Sequence, residues 1–250
     1  MKVILSIAGS DSSAGAGIQQ DLKTITSLGH YACTAITALT AQNTMGVQSV
    51  LPTPPEMLEA QINAIFDDIN VDAVKIGMIP NKSCAQVIVR CLKKYDGPIV
   101  YDPVMISTSG KALMKPDTMQ YIVEQLFPLC TLITPNIPEY EHLMSLSSRK
   151  GRSNLSSYNI LLKGGHAEGC QMIDTLLMRD GTKHTFATER IETTNLHGTG
   201  CTLSSAIATY LAEGQKIPDA VKQAKDTINH AIRGGKDLHI GHGNGPLWCF

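Results

Sequence analysis

The stretch NLHGTGCTLSSAIATYL, residues 195–211, sets a glycine–threonine–glycine turn directly before a helical pattern, with Cys201 at the junction. Gly198 and Gly200 let the backbone come close to a ligand. The unpaired amides and the dipole at a helix start then favour an anion. A cysteine in that place is expected to have a lowered thiol pKa, because the helix start stabilises the thiolate. It would then serve as a nucleophile, a proton acceptor or a redox group. A glycine loop that merely caps a helix over a small buried thiol has the same letters. The comparison with the other cysteines favours a functional Cys201. Cys84 and Cys91 share one face of a helical stripe and Cys33 lies in an apolar run, as buried fillers do, whereas Cys201 sits on the anion turn.

Other polar groups follow apolar runs that read as strands. In TPNIPE (134–139), Asn136 and Glu139 stand three apart at a helix opening, a spacing that suits a magnesium hydration shell. The same spacing suits a capping box, and both readings stay open. Asp102, at the end of PIVYD (98–102), is a further carboxylate for a metal shell or a turn aspartate. Lys163, before two glycines in KGGH, is placed to meet a phosphate or to sit solvated at a strand end. The first turn, AGSDSSAGAGIQQD (8–21), lacks the Walker lysine and the third glycine of the dinucleotide fingerprint. Close backbone approach to a small molecule fits it better, with Asp21 on the following helix as a hydrogen-bonding group or a surface carboxylate.

The elements that would carry these groups alternate along the whole chain. VILSIA (3–8), DAVKIG (72–77), PIVYD, TLIT (131–134) and NILLK (159–163) read as strands, several of them continuously apolar as in a parallel sheet covered on both faces. Helical stripes run through Met57–Ile69, Cys84–Tyr95 and Ile217–Ile232. This alternation implies one α/β sandwich with a central, mostly parallel sheet, in a single domain over residues 1–250. Residues 31–52 hold two extended runs without a full helix between them, an expected edge hairpin or flap. Residues 144–159 are serine-rich and read as a mobile surface loop. In such sheets ligands gather at the carboxyl ends of the strands, where the polar groups above fall.

Composition narrows the function classes. A net charge of −1 without a long run of one sign argues against nucleic acid as a partner. Seven scattered cysteines, with no Cys-x-x-Cys pair, suggest reduced thiols in the cytoplasm. The apolar start is too short for a signal peptide, and no run approaches the ~20 residues that span a bilayer.

Together IAGSDSSAGAGIQQDLKT, ITALTAQNTMGVQSV, KIGM, YDPVM, LITPNIPE, LLKGGH, HGTGCTLSSAIA and GHGNGP resemble the ribokinase-like superfamily. Within it they look most like the bacterial hydroxymethylpyrimidine and phosphomethylpyrimidine kinases of thiamin synthesis. The segments span residues 7–246. The resemblance implies a three-layer ribokinase-like sandwich with a small β flap, usually a homodimer, that takes ATP as co-substrate with Mg2+. Whether a monovalent cation assists stays open. Carried over by motif, Gly9, Ala16 and Asp21 would line the pyrimidine pocket, Gln42 would bond the ring edge, and Met78 and Val104 would be apolar walls. Cys201 stands where most of the superfamily has an aspartate base. It would take the proton of the substrate hydroxymethyl group while Gly198, Thr199 and Gly200 stabilise the transferred phosphoryl group. Lys163 and Asn136 would face the ATP phosphates, and Asp102 and Glu139 would hold magnesium through water. Between NIPEYEHLM and NILLKGGH the chain is shorter than the family's usual helical connection.

Two rivals have the same motifs. A pyridoxal kinase takes a hydroxymethyl heteroaromatic of similar size, and Gln42 favours the pyrimidine. A non-catalytic precursor sensor would keep the fold without phosphoryl transfer, against which the intact turn, Cys201 and NIPE argue.

Overall fold

The computed structural model describes residues 1–105, 114, 116–148, 155–164 and 171–250. Strand β1 (Val3–Asp11), helix α1 (Gly17–Ser27), strands β2 (Tyr31–Asn43) and β3 (Gly46–Pro52) and helix α2 (Pro55–Phe66) open the chain. Then β4 (Ala73–Ile76), α3 (Lys82–Leu92), β5 (Ile99–Tyr101), α4 (Pro116–Gln125), β6 (Leu132–Ile133), α5 (Ile137–Ser148) and β7 (Ile160–Leu162) alternate. The hairpin β8 (Gln171–Leu177) and β9 (Lys183–Glu189) precedes helices α6 (Thr199–Ala212) and α7 (Ile217–Gly235).

The nine strands among the described residues form one sheet in the order β3-β2-β1-β4-β5-β6-β7-β8-β9. The run from β2 to β7 is parallel, and β3, β8 and β9 pair antiparallel at the two edges. Strand alternation divides the core. Leu5, Ile7, Val74, Ile76, Ile99 and Tyr101 face α2, α3 and α4 through Ile62, Ile88 and Ile122. Ile4, Ala73, Val100 and Leu132 face the other way, onto Ile25 of α1, Ile207 of α6 and Val221 of α7. Each such aliphatic side chain stabilises the fold by about 1.5–3 kcal/mol when fully buried. Near-continuous apolar strands are therefore what a sheet covered on both faces requires. The sandwich read from the sequence is the fold observed.

The flap is built by one long strand. β2 follows β1 in parallel up to Thr40 and pairs antiparallel with β3 from Ala38 to Asn43. A register shift between Ala41 and Gln42 redirects the chain there.

One expectation needs correction, and one element was not foreseen. The surface loop read at 144–159 begins as helix, since α5 runs through Ser148. It ends in a short 3₁₀ turn whose Leu155 is buried in the core, and residues 149–154 lie outside the described ones. The β8–β9 hairpin was not expected at all. Strand β8 pairs with β7 on one side and β9 on the other, though the residue types of QMIDTLL do not alternate. The turn is closed by Asp180, which accepts from the Thr182 amide at 2.9 Å and hydroxyl at 2.7 Å.

Candidate active site

A cavity of about 930 Å³ opens at the carboxyl ends of the parallel strands. At one end it is lined by Gly9, Ala16, Gln42, Met78 and Val104, and in the middle by Asp102, Asn136, Glu139, Lys163 and the turn Gly198–Cys201. Beyond them it runs into a slot between α7 and the β8–β9 hairpin, past Met172, Leu203, Ile228 and Ile232.

At the first end Asp11 organises the loop after β1. Its carboxylate accepts from the Gly15 and Ala16 amides at 3.1 and 2.8 Å and from Ser13. His197 Nε2 lies 2.8 Å from Asp11 and 3.2 Å from the Gln42 amide nitrogen. One imidazole thus ties the first loop, the flap and the anion turn together. Burial alone would raise the Asp11 pKa, but the bonds from His197 and Ser13 outweigh it and hold the carboxyl below its ordinary value. The Gln42 backbone is held by Ser12, whose hydroxyl donates to the Gln42 main-chain carbonyl at 2.7 Å and accepts from its main-chain N–H at 2.9 Å.

The anion turn is set by Gly198, which caps α6 in the left-handed region at φ 90°. A Cβ there would stand 2.0 Å from the Gly15 carbonyl oxygen, so only glycine fits. With Thr202 bonding back to Gly198, the Gly200 and Cys201 amides have no carbonyl of their own helix to meet. Gly200 packs against the Asp102–Lys163 pair: its Cβ position lies 3.1 Å from Asp102 Oδ2 and 3.6 Å from Lys163 Nζ.

The lowered Cys201 thiol expected at a helix start is not what the surroundings produce. Burial pushes it up to about 11, with the Asp21 and Asp102 carboxylates adding to the rise, while Lys75 and a hydrogen bond from the Gly17 amide pull the other way. The helix start is outweighed because desolvation and the charges of Asp21 and Asp102 together oppose the thiolate.

Asp21 is also corrected. It is fully buried and does not line the cavity. Its two oxygens meet Lys75 Nζ at 2.7 and 2.8 Å, with the Ser6 and Ser205 hydroxyls completing the shell. No lone pair is left for a ligand.

Beside the turn, Lys163 Nζ lies 2.7 Å from Asp102 Oδ1, which also accepts from Thr134 at 3.2 Å. Burial would lower the Lys163 pKa, but Asp102 and Glu139 hold it above its ordinary value, so the ammonium stays charged. Asn136 and Glu139 form the reciprocal capping box, each accepting the other's amide at 2.8 Å. Both also line the cavity, so capping leaves them at the site. Burial raises Glu139 to about 7; Lys163 opposes this and the nearby Asp102 charge adds to it. Two carboxylates that crowd each other suit a divalent cation that keeps its water, as magnesium does beside phosphates. No group of three or more His, Cys, Asp or Glu side chains that could chelate a metal directly occurs among the described residues.

The family model described as phosphomethylpyrimidine kinase matches residues 11–248. The chain belongs to the phosphomethylpyrimidine kinase family. A hydroxymethylpyrimidine/phosphomethylpyrimidine kinase of Rhizobium meliloti is 42% identical over 258 residues, covering 99% of this chain and 97% of that protein. The crystal structure of a phosphomethylpyrimidine kinase from Clostridium difficile superposes with TM-score 0.78 at 42% identity, over 93% of this chain and 100% of that one. An ADP complex of Bacillus subtilis pyridoxal kinase gives TM-score 0.83 at 31% identity, over 100% of this chain and 97% of that one. A kinase of this family draws its phosphoryl group from ATP.

Sequence reasoning did not single out Asp11, His197 or Lys75 in this family's site. Asp11 and His197 stand inside motifs it did quote, but their contact joins residues 186 apart. Lys75 carried a legible signal: it is the single charge in AVKI, a strand otherwise apolar and buried throughout. Of KGGH, Gly165 and His166 lie outside the described residues.

Proposed function

We propose that this chain transfers phosphoryl groups from ATP to 4-amino-5-hydroxymethyl-2-methylpyrimidine and then to its monophosphate, as a thiamin-biosynthetic kinase acting through Cys201. The observation that carries the reading is one cavity with two unlike parts. An apolar pocket of Gly9, Ala16, Met78 and Val104, with the Gln42 amide at its edge, faces an anion turn flanked by Lys163. A flat heteroaromatic ring wants apolar faces and a few directed donors and acceptors, which Gln42 supplies both at once.

In the transfer, Cys201 as thiolate takes the hydroxymethyl proton. The freed oxygen bonds to the γ-phosphorus, the bond to the β,γ-bridging oxygen breaks, and ADP leaves. Gly198, Thr199 and Gly200 meet the charge spread over the moving phosphoryl oxygens, with Lys163 and Asn136 on the ATP phosphates. Asp102 and Glu139 would hold magnesium through its water shell, and the ion would neutralise charge on the phosphates.

The same reading makes residues 1–250 one catalytic domain of a cytoplasmic homodimer. Exposed Leu39, Met45 and Leu51 on the flap and its edge strand support a second copy there. Six free cysteines among the described residues support a reducing compartment. Among those residues no helix is long and apolar enough to cross a membrane.

The test is ATP consumption with hydroxymethylpyrimidine, its monophosphate and pyridoxal side by side, with products identified by mass. Conversion through monophosphate to pyrophosphate is expected; preference for pyridoxal would overturn the substrate, and no transfer would overturn the kinase. Cys201→Ala should lower kcat by about 10²–10⁴ with little change in KM. Because the thiolate is the reacting form and the thiol titrates near 11, wild-type kcat/KM should climb from pH 7 towards 10. Near-normal turnover in the variant would remove Cys201 from the mechanism.

A further inference from the structure

Lys75 sits in the middle of β4, between Val74 and Ile76, at a position an apolar residue would fill without desolvating a charge. Its ammonium has three N–H donors, and Asp21 takes two of them at 2.7 and 2.8 Å. Asp21 Oδ1 is pinned in turn by the Ser205 hydroxyl at 2.8 Å. Ser205 lies four residues beyond Cys201 on α6, hence on the same helix face. Two residues along β4's exit, Gly77 lines the cavity, and a Cβ there would stand 3.0 Å from Lys75 Nζ. The absent side chain leaves the ammonium at the cavity wall, which Lys75 and Cys201 share.

We propose that Lys75 is a positioning residue for Cys201, its ammonium fixed by Asp21 so that a positive charge stands below the sulfur when the sulfur is a thiolate. This rests on Cys201 as the base of the proposed reaction. The charged groups that act on the sulfur are Lys75 from β4, Asp21 from α1, Asp102 after β5 and Lys163 after β7. Of the two lysines, Lys75 is the one fully buried and bound by both oxygens of its aspartate. It stays protonated throughout, since Asp21 holds its pKa above the ordinary lysine value against the burial that would lower it. The proton that leaves the substrate hydroxyl therefore ends on sulfur, and Lys75 gives up none.

The test is the alkylation rate of Cys201 by iodoacetamide at pH 9, read by mass on its peptide in ligand-free protein. Lys75→Met should slow it about tenfold or more, the effect of one pKa unit on the thiolate fraction. Asp21→Asn, which removes the opposing charge, should speed it about threefold or more. Lys75→Met/Asp21→Asn should remain slower than wild type, because the ammonium outweighs the carboxylate at the sulfur. A structural role alone would move both single variants the same way. An unfolded variant betrays itself by faster alkylation of the buried Cys33 and Cys84, and the double variant, free of an unpaired buried charge, then carries the test. Shifts in one direction in both folded singles, or a double variant within about twofold of wild type, would overturn the proposal. Cys201→Ala turnover judges the base separately: if that variant keeps its turnover, the alkylation rates still show whether Lys75 acts on the sulfur.

Discussion

Two lysine–aspartate pairs flank Cys201, and their contacts are of the same length: 2.7 Å for Lys75 with Asp21 and 2.7 Å for Lys163 with Asp102. Their exposure differs. The first pair is sealed, at 0% for both side chains, whereas Lys163 keeps 17%. In the first pair both carboxylate oxygens are consumed by lysine and two serine hydroxyls. In the second, lysine and threonine share one oxygen, and the other faces Gly200 at the anion turn. Identical chemistry is thus turned into a fully buried charge in one place and a partly exposed charge in the other. Burial decides which, because an ammonium that water cannot reach must be matched by its own protein.

The sharpest way to break that contrast is to remove each lysine. Lys75→Met should cost about 3–5 kcal/mol of stability by stranding Asp21 in the core, measured as a lowered denaturant midpoint. Lys163→Met should be milder on stability but lose about 10²–10³ in kcat, as removal of a transition-state donor does. Equal stability losses, or an active Lys163→Met enzyme, would erase the distinction. A smaller effect is expected at the glycine turn between the pairs. Gly198→Ala places a side chain in the left-handed region against the Gly15 carbonyl, and should cost at least about 1–2 kcal/mol. An unchanged midpoint there would mean the turn is not held as tightly as its geometry implies.

Much of this site was legible because its motifs are local. HGTGC carries its own turn chemistry, and NIPE its own cap, so the Asn136–Glu139 box could be read with no knowledge of the rest. Lys163, Asp102 and Gln42 end strands or lie on the flap, where a parallel sheet collects its ligand groups. Asp21 was placed on the right helix, but its partner Lys75 is 54 residues away and no spacing announces it. The thiol of Cys201 was misread for the same reason. A helix start is a local feature, whereas the carboxylates of Asp21 and Asp102 reach the sulfur through the fold.

What the sequence determined by itself is the set of elements and turns: continuous apolar strands, helical stripes, and a glycine turn before Cys201. These follow from interactions within a few residues, which pattern and residue type encode directly. Only the tertiary structure decided which charges are sealed and which stay partly exposed, and with them the proton affinity of Cys201. Those depend on desolvation and on Coulomb interactions between groups far apart in the chain, which take a value only once the fold has excluded water.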